Sequence, residues 1–367
     1  FGTAKWMPSP ESAELLGVPY ESLPHHIDFA TARNEFYQHP TALPSVYSGS
    51  IKLDLHRRDF TINTIAIQLS PQSHANRILD FYGGMNDLNN GVIRALHSLS
   101  FVDDPTRILR AVRFETRLGF TIETRTAELI HTHDEMLRRI TGERVRNELT
   151  LLLNETVPER GIATLHERGL LTAIHPDLSF PDGANADFTA VRGVDVSAFC
   201  ARVGLSLDAG LADSPDDVYW LVWMKHLNPQ QVTAVCERLL FGQKITAQFR
   251  ALAEITHDGE ALRDAHTQPS QLVAKFDTIH DWALVALWIN GHPTTQQFIE
   301  TYFTTWRHIQ SVINGDTLLA MNIPTGRHYR DILSKLRDAK LDGVTTSAES
   351  EYAYLDELLR ELGFKVE

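Results

Sequence analysis

The sequence predicts an α+β protein: a mixed β head followed by a long all-α portion. Three observations point there. Short apolar and β-branched runs, separated by Pro, Ser and Gly, crowd into roughly the first 97 residues. From about residue 100 the pattern is helical almost throughout, with starts written as a capping residue followed by proline at Ser214-Pro215 and Asn228-Pro229. The length of 367 residues, 43% hydrophobic and 22% charged, suffices for two or three ordinary globular domains.

Taken in order, FGTAKW, HHIDFATAR and FTINTIAIQL read as strands. The first residue is Phe1 and FGTAKW reads as the middle of a strand, so the chain is expected to begin inside a domain. Residues 34–50, NEFYQHPTALPSVYSGS, lack periodicity and read as a long loop. Residues 81–96 read as a turn at Gly83-Gly84, a short helix and a final strand. Gly119, Gly169 and Gly291 mark helix ends. Trp220, Trp223, Met224 and Leu227 fit a buried helix face better than a base-stacking platform.

Charge narrows the function. The net −13 argues against a general nucleic-acid binder. The charge is uneven, however: residues 51–150 hold 14 Lys and Arg against 13 Asp and Glu, and 13 of those cations are arginine. That bias suits planar, bidentate recognition rather than diffuse attraction to phosphates. Two cysteines, Cys200 and Cys236, are too few for a disulfide framework and fit a reducing, cytoplasmic setting. No apolar run has membrane-spanning length, and no signal peptide is evident.

Two clusters could carry chemistry. In DDPTRILRAVRF (103–114), Asp104-Pro105 is a helix start, after which positions 104, 107, 110, 114 and 117 fall near one face and Ile108, Leu109, Val112 and Leu118 cover another. Arg107, Arg110 and Arg117 form a guanidinium stripe, with Arg113 at its margin. It is either a solvated face of ion pairs or a surface that reads a nucleotide, since a carboxylate accepts from an exocyclic amine and arginine forks match phosphate oxygens or acceptor edges. In RRDFTINTIAI (57–67), Asp59 is either a helix cap or, with Asn63, a partner for ribose hydroxyls beside a phosphate-binding Arg58. Asp28 sits mid-strand in an apolar sequence and needs a partner, as a core acid or a metal-facing one. His25-His26 and His131-x-His133 lack the further spaced ligands of a zinc site.

RRDFTINTIA, DFYGGMNDLNNGVIR, FVDDPTRILRAVRFETRLGF and TGERVRNELTLLL occur in that order at close spacing. Together they resemble the bacterial class II tRNA nucleotidyltransferases and poly(A) polymerases, which add CCA or A to RNA 3′ ends without a nucleic-acid template. The resemblance takes in IDFATARNEFY and ALPSV upstream, and HERGLLTAIHPDL and NGDTLLAMNIPTGRHYRDILSKLRDAKLDG downstream, and is weakest between about 180 and 310. It implies a partial nucleotidyltransferase head at 1–97, a neck at 98–160, a body at 161–310 and a tRNA-binding tail at 311–367. It also implies that Arg58, Asp59 and Asn63 grip ribose and triphosphate, that Asp104 and Arg107 act as an amino-acid template for ATP or CTP, and that Arg110 and Arg113 contact the nucleotide further. Asp103 stands where relatives often have Glu. The segment 34–50 matches the family's flexible element.

The family's signature begins with a glycine-rich turn and two aspartates one residue apart that hold two Mg²⁺ ions. Neither element is in this sequence, although Asp28 lies on a strand that could supply a supporting carboxylate. The chain is therefore expected to be an N-terminally truncated enzyme, inactive alone, with tRNA, ATP and CTP as partners. A non-catalytic tRNA- or nucleotide-binding relative and a poly(A) polymerase are the alternatives; the tail-like segment favours tRNA over general polyadenylation.

Overall fold

A computed structural model describes residues 3–36, 45–205, 215–257 and 259–364. The chain forms two compact units, residues 1–174 and 175–367.

The first unit carries all the described strands: β1 Thr3–Trp6, β2 Ile27–Ala30, β3 Arg33–Phe36, β4 Ser45–Ser48, β5 Ala66–Gln68, β6 Arg77–Leu79, β7 Val92–Ile93 and β8 Thr121–Ile122. They pair in sequence order as four two-stranded ladders, the first three antiparallel and the last parallel. Its helices are α1 Pro10–Leu16, α2 Ile51–His56, α3 Gly84–Asn89, α4 Ser100–Asp103, α5 Thr106–Leu118, α6 Thr124–His133, α7 Gly142–Leu153, α8 Pro158–Glu167 and α9 Leu170–Ile174. The β head followed by helices is thus present, with its sheet in short pieces.

Three local expectations are corrected. The segment 34–50 is not one long loop, because β3 and β4 pair as a hairpin; residues 37–44 between them lie outside the described residues. FTINTIAIQL is a strand only over β5. Thr64 Oγ1 donates to the Thr61 carbonyl at 2.6 Å and Thr61 Oγ1 to Asp87 at 2.6 Å, and these local bonds hold Thr61–Thr64 in a 3₁₀ turn. Asp28 is not in an apolar setting: every residue of β2 is exposed, and the carboxylate lies 3.4 Å from His26.

The Gly83-Gly84 turn is as predicted. Gly83 adopts φ +75°, and Asp80 accepts from the Gly84 and Met85 N–H groups. A Cβ on Gly84 would lie 2.3 Å from the Thr61 carbonyl oxygen, so α3 and the 3₁₀ turn approach as only glycine permits.

α5 shows why this unit holds together. Ile108, Leu109, Ala111 and Val112 are buried against α7 and α8, and each large apolar side chain so buried contributes about 1.5–3 kcal/mol. Leu118, expected on that face, is exposed because the helix ends one residue later in the left-handed turn at Gly119.

The second unit is helical throughout its described residues: α10 Asp182–Gly193, α11 Val196–Val203, α12 Pro215–Met224, α13 Pro229–Leu239, α14 Gln243–His257, α15 Glu260–Arg263, α16 Pro269–Phe276, α17 Asp281–Trp288, α18 Pro293–Thr304, α19 Gly315–Ala320, α20 His328–Leu341 and α21 Ala348–Glu361. Asn228 caps α13 in a reciprocal capping box with Gln231. Trp220, Trp223, Met224 and Leu227 are buried as expected, and Trp223 donates its indole N–H to the Ser179 carbonyl at 2.7 Å. Beneath them, buried Asp187 accepts from Lys225 at 2.9 Å and His226 at 2.6 Å on Oδ2, and from Asn290 at 3.0 Å on Oδ1.

Candidate nucleotide site

Arg107, Arg110 and Arg113 occupy successive turns of α5. A spacing of three against 3.6 residues per turn rotates each about 60° from the last, so the three guanidiniums reach three different sets of partners. Arg107 is buried, donating to Ser100 Oγ at 2.8 Å and to the Arg57 carbonyl at 2.6 Å. Arg110 donates to Asp59 Oδ2 through Nε at 2.8 Å and Nη2 at 2.6 Å. Arg113, also buried, lies 3.9 Å from Glu148 and 3.4 Å from Glu155. The uniform solvated stripe is therefore not what forms, and of the expected stripe Arg117 is the member most open to solvent.

Above these partners lies a cavity of about 410 Å³, lined by Arg57, Arg58, Asp59, Asp104, Thr106, Arg107, Arg110, Arg144, Asn147 and Glu148. Its walls come from the segment after α2, the α4–α5 junction, α5 and α7. Five arginines face three carboxylates, an excess that suits an anionic ligand with several oxygens.

Asp59 is the buried floor. Its Oδ1 accepts from the Phe60 N–H at 3.0 Å and Asn63 Nδ2 at 2.8 Å, so it does not cap a helix. Burial pushes its carboxyl up, but the Arg110 charge and the hydrogen bonds from Asn63, Arg110 and Phe60 outweigh that and hold it below the ordinary range. Glu148 goes the other way. Burial raises its pKa against the pull of Arg110 and Arg113, and its Oε2 has no hydrogen-bond partner.

Asp104 closes the start of α5. Its Oδ1 accepts from the Thr106 N–H at 3.1 Å, Thr106 Oγ1 at 2.6 Å and Arg144 Nη2 at 2.7 Å. Arg58 leans 3.4 Å from Asp54, which also accepts from Arg57 at 2.9 Å.

Of the residues singled out from sequence, Arg58, Asp59, Asp104, Arg107 and Arg110 share the cavity, and Asn63 joins through Asp59. Arg113 supports it from behind, and Asp28 is not among its lining residues. Sequence reasoning missed Thr106, Arg144, Asn147 and Glu148. The last three stand at i, i+3 and i+4 of α7, a readable face within the already noted TGERVRNELT. Among the described residues no group of three or more His, Cys, Asp or Glu side chains could hold a metal ion.

Comparison with known proteins extends this geometry. Residues 9–94 match the poly(A) polymerase head-domain family, and residues 119–180 match the family described as a probable RNA- and SrmB-binding site of polymerase A. An A-adding tRNA nucleotidyltransferase from Geobacter sulfurreducens is 34% identical over 339 residues, covering 89% of this chain and 37% of the relative. The chain thus spans little more than a third of that protein. A CCA-adding enzyme in an apo form superposes with TM-score 0.72 at 28% identity, covering 92% of this chain and 77% of that one. A CCA-adding enzyme in complex with ATP gives TM-score 0.67 at 28% identity, covering 85% and 73%. With these regions matched in sequence and the fold matched across most of its length, the chain carries the head domain of the poly(A) polymerase family at 9–94 and its RNA-binding region at 119–180.

Proposed function

We propose that this chain is the nucleotide-selecting and RNA-holding part of an enzyme that adds AMP or CMP to the 3′ end of tRNA from ATP or CTP. In that reaction the terminal 3′-hydroxyl attacks the α-phosphorus, the bond to the β-phosphate oxygen breaks and pyrophosphate leaves. The observation that carries the reading is the convergence of Asp59, Asp104, Arg107 and Arg110, drawn from two sequence clusters, on one cavity. There, Asp104 accepts from the exocyclic amine of adenine or cytosine, and Arg107 donates from the N–H groups its two protein partners leave open. Asp59, kept ionised, and Asn63 meet the ribose hydroxyls. Arg58 and Arg110 supply positive charge for the triphosphate, and Arg113 backs Glu148 from behind the cavity. A-addition is favoured over CC-addition because the Geobacter relative that aligns over most of this chain is named for it; tRNA is favoured over general polyadenylation on the same ground.

The family generally uses a divalent metal. Mg²⁺ is the ion this reading asks for, and no catalytic step is assigned to the described residues. The head at 1–97, neck at 98–160, body at 161–310 and tail at 311–367 remain the division we propose, in a cytoplasmic protein; no described helix is long and apolar enough to cross a membrane.

Calorimetric titration with ATP and CTP tests the reading. Saturable binding weakened about tenfold or more by Asp104→Ala and Arg107→Ala is expected, the scale of one charged hydrogen bond. Absence of binding, or binding indifferent to both changes in variants that keep their circular dichroism, refutes it.

A further inference from the structure

The cavity contains an asymmetry at Asp104. All three donors that reach its side chain, the Thr106 N–H, Thr106 Oγ1 and Arg144 Nη2, converge on Oδ1. Among the described residues no hydrogen bond reaches Oδ2. A carboxylate free to rotate presents either oxygen to a ligand, and ordering it on binding costs free energy. Here the rotation is already fixed. Thr106 is buried and belongs to the first turn of α5, where its N–H has no intrahelical acceptor. Arg144 comes from α7, forty residues away, so the clamp ties two helices to one oxygen.

We propose that Thr106 and Arg144 are positioning residues for base selection: they hold Asp104 by one oxygen so that the other is presented, already oriented, to the amino group of the incoming base. This rests on the function proposed above. It goes beyond it in assigning discrimination to two side chains that do not themselves meet the base edge. Thr106 contributes direction through a short hydroxyl bond to Oδ1. Arg144 places a charged donor on the same oxygen, so that Oδ2 is left to accept, and a base offering a carbonyl at the same place meets an unpaired, repelling oxygen.

The test compares ATP with the 6-unsubstituted purine riboside triphosphate, which keeps ribose and phosphates but lacks the amino group. Their affinity ratio isolates the Asp104 bond from the rest of the site. In the unaltered chain ATP is expected to bind about tenfold more tightly. Asp104→Ala should bring the ratio to one. Thr106→Val and Arg144→Gln should each cut it several-fold. Thr106→Val should change the affinity of the unsubstituted analogue far less, whereas Arg144→Gln, which removes a cavity arginine, should weaken both ligands and still lower their ratio. Thr106→Ser, which restores the hydroxyl, should restore the ratio.

A ratio that collapses in Asp104→Ala but is untouched by Thr106→Val and Arg144→Gln overturns the positioning role and leaves the proposed function standing. A ratio indifferent to Asp104→Ala overturns the base-reading role itself, and the positioning role with it. Loss of both affinities in parallel, without rescue by Thr106→Ser, would mean that the two residues are only structural.

Discussion

Each unit buries charge, but the two do so differently. In the second unit Asp187 has both oxygens filled by protein donors, from buried Lys225, half-buried His226 and exposed Asn290. In the cavity of the first unit, among the described residues, Asp104 keeps one oxygen without a donor, Glu148 Oε2 has none, and five arginines face three carboxylates. A cluster whose carboxylate oxygens are all filled stabilises its surroundings, even though Asp187, Lys225, His226 and Asn290 line a cavity of about 250 Å³. An open one forgoes stability in order to bind. The contrast separates a structural ion cluster from a functional one more sharply than burial or charge count does.

The largest effect that tests this contrast is Asp187→Ala. Removing one member of a closed buried cluster leaves Lys225 uncompensated and should cost about 3–5 kcal/mol, read by denaturant unfolding of the whole chain. An effect below about 1 kcal/mol would show that the cluster is not closed energetically. Next comes Asp59→Asn, which keeps shape but removes the charge facing Arg110. It should weaken ATP binding about tenfold or more and cost about 1.5–3 kcal/mol of stability, so both readouts move in the cavity whereas only stability moves at Asp187.

Acid sharpens the comparison further. Asp59 and Asp187 both have pKa values lowered below the ordinary 3.8, despite burial that pushes them up, by Arg110 and by His226 with Lys225 respectively. A carboxyl depressed in the folded state contributes stability that is present above its unfolded pKa and lost as pH falls through the folded value. Both contributions should therefore be full at neutral pH and decline below about pH 4. Asp59→Asn should flatten part of that decline, and stability of the variant that still falls as steeply would count against the ionised Asp59. The smallest effect belongs to Arg117→Ala. Its guanidinium is half-exposed and 3.8 Å from Glu155, so it should change stability by no more than about 1 kcal/mol and leave nucleotide affinity unaltered.

Much of the site was legible in the sequence because its parts are local. Asp104-Pro105 marks the start of α5, and the arginines behind it fall at helical spacing; RRDFTIN brings Asp59 and Asn63 together within one turn. What the sequence hides is long-range pairing. Nothing local joins Arg110 to Asp59 across 51 residues or Arg144 to Asp104 across 40, and both contacts decide which charges are free. Arg113 illustrates the cost: it read as another nucleotide contact, yet it faces Glu148 and Glu155 of the α7 region. Asp28 misled in the opposite sense. An apolar sequence around an acid predicts burial only if another layer covers the strand, and β2 is exposed along its whole length. In the fold, the broad order of β head and helices was readable, whereas the break between the 3₁₀ turn and β5 depends on the Thr61–Asp87 bond made 26 residues away.

The close approach at Gly84 extends the site's reach beyond the atoms that could touch a ligand. The Thr61 carbonyl that a Cβ there would strike lies two residues from Asp59 and from Asn63. Even alanine must displace that backbone, and the floor of the cavity with it. In a mutational survey scored only by nucleotide retention, position 84 should rank with the arginines. A catalogue built from ligand contacts would omit it. Inherited variation at such a glycine would then present as a defect of recognition, although its origin is an ångström of backbone crowding in a neighbouring turn.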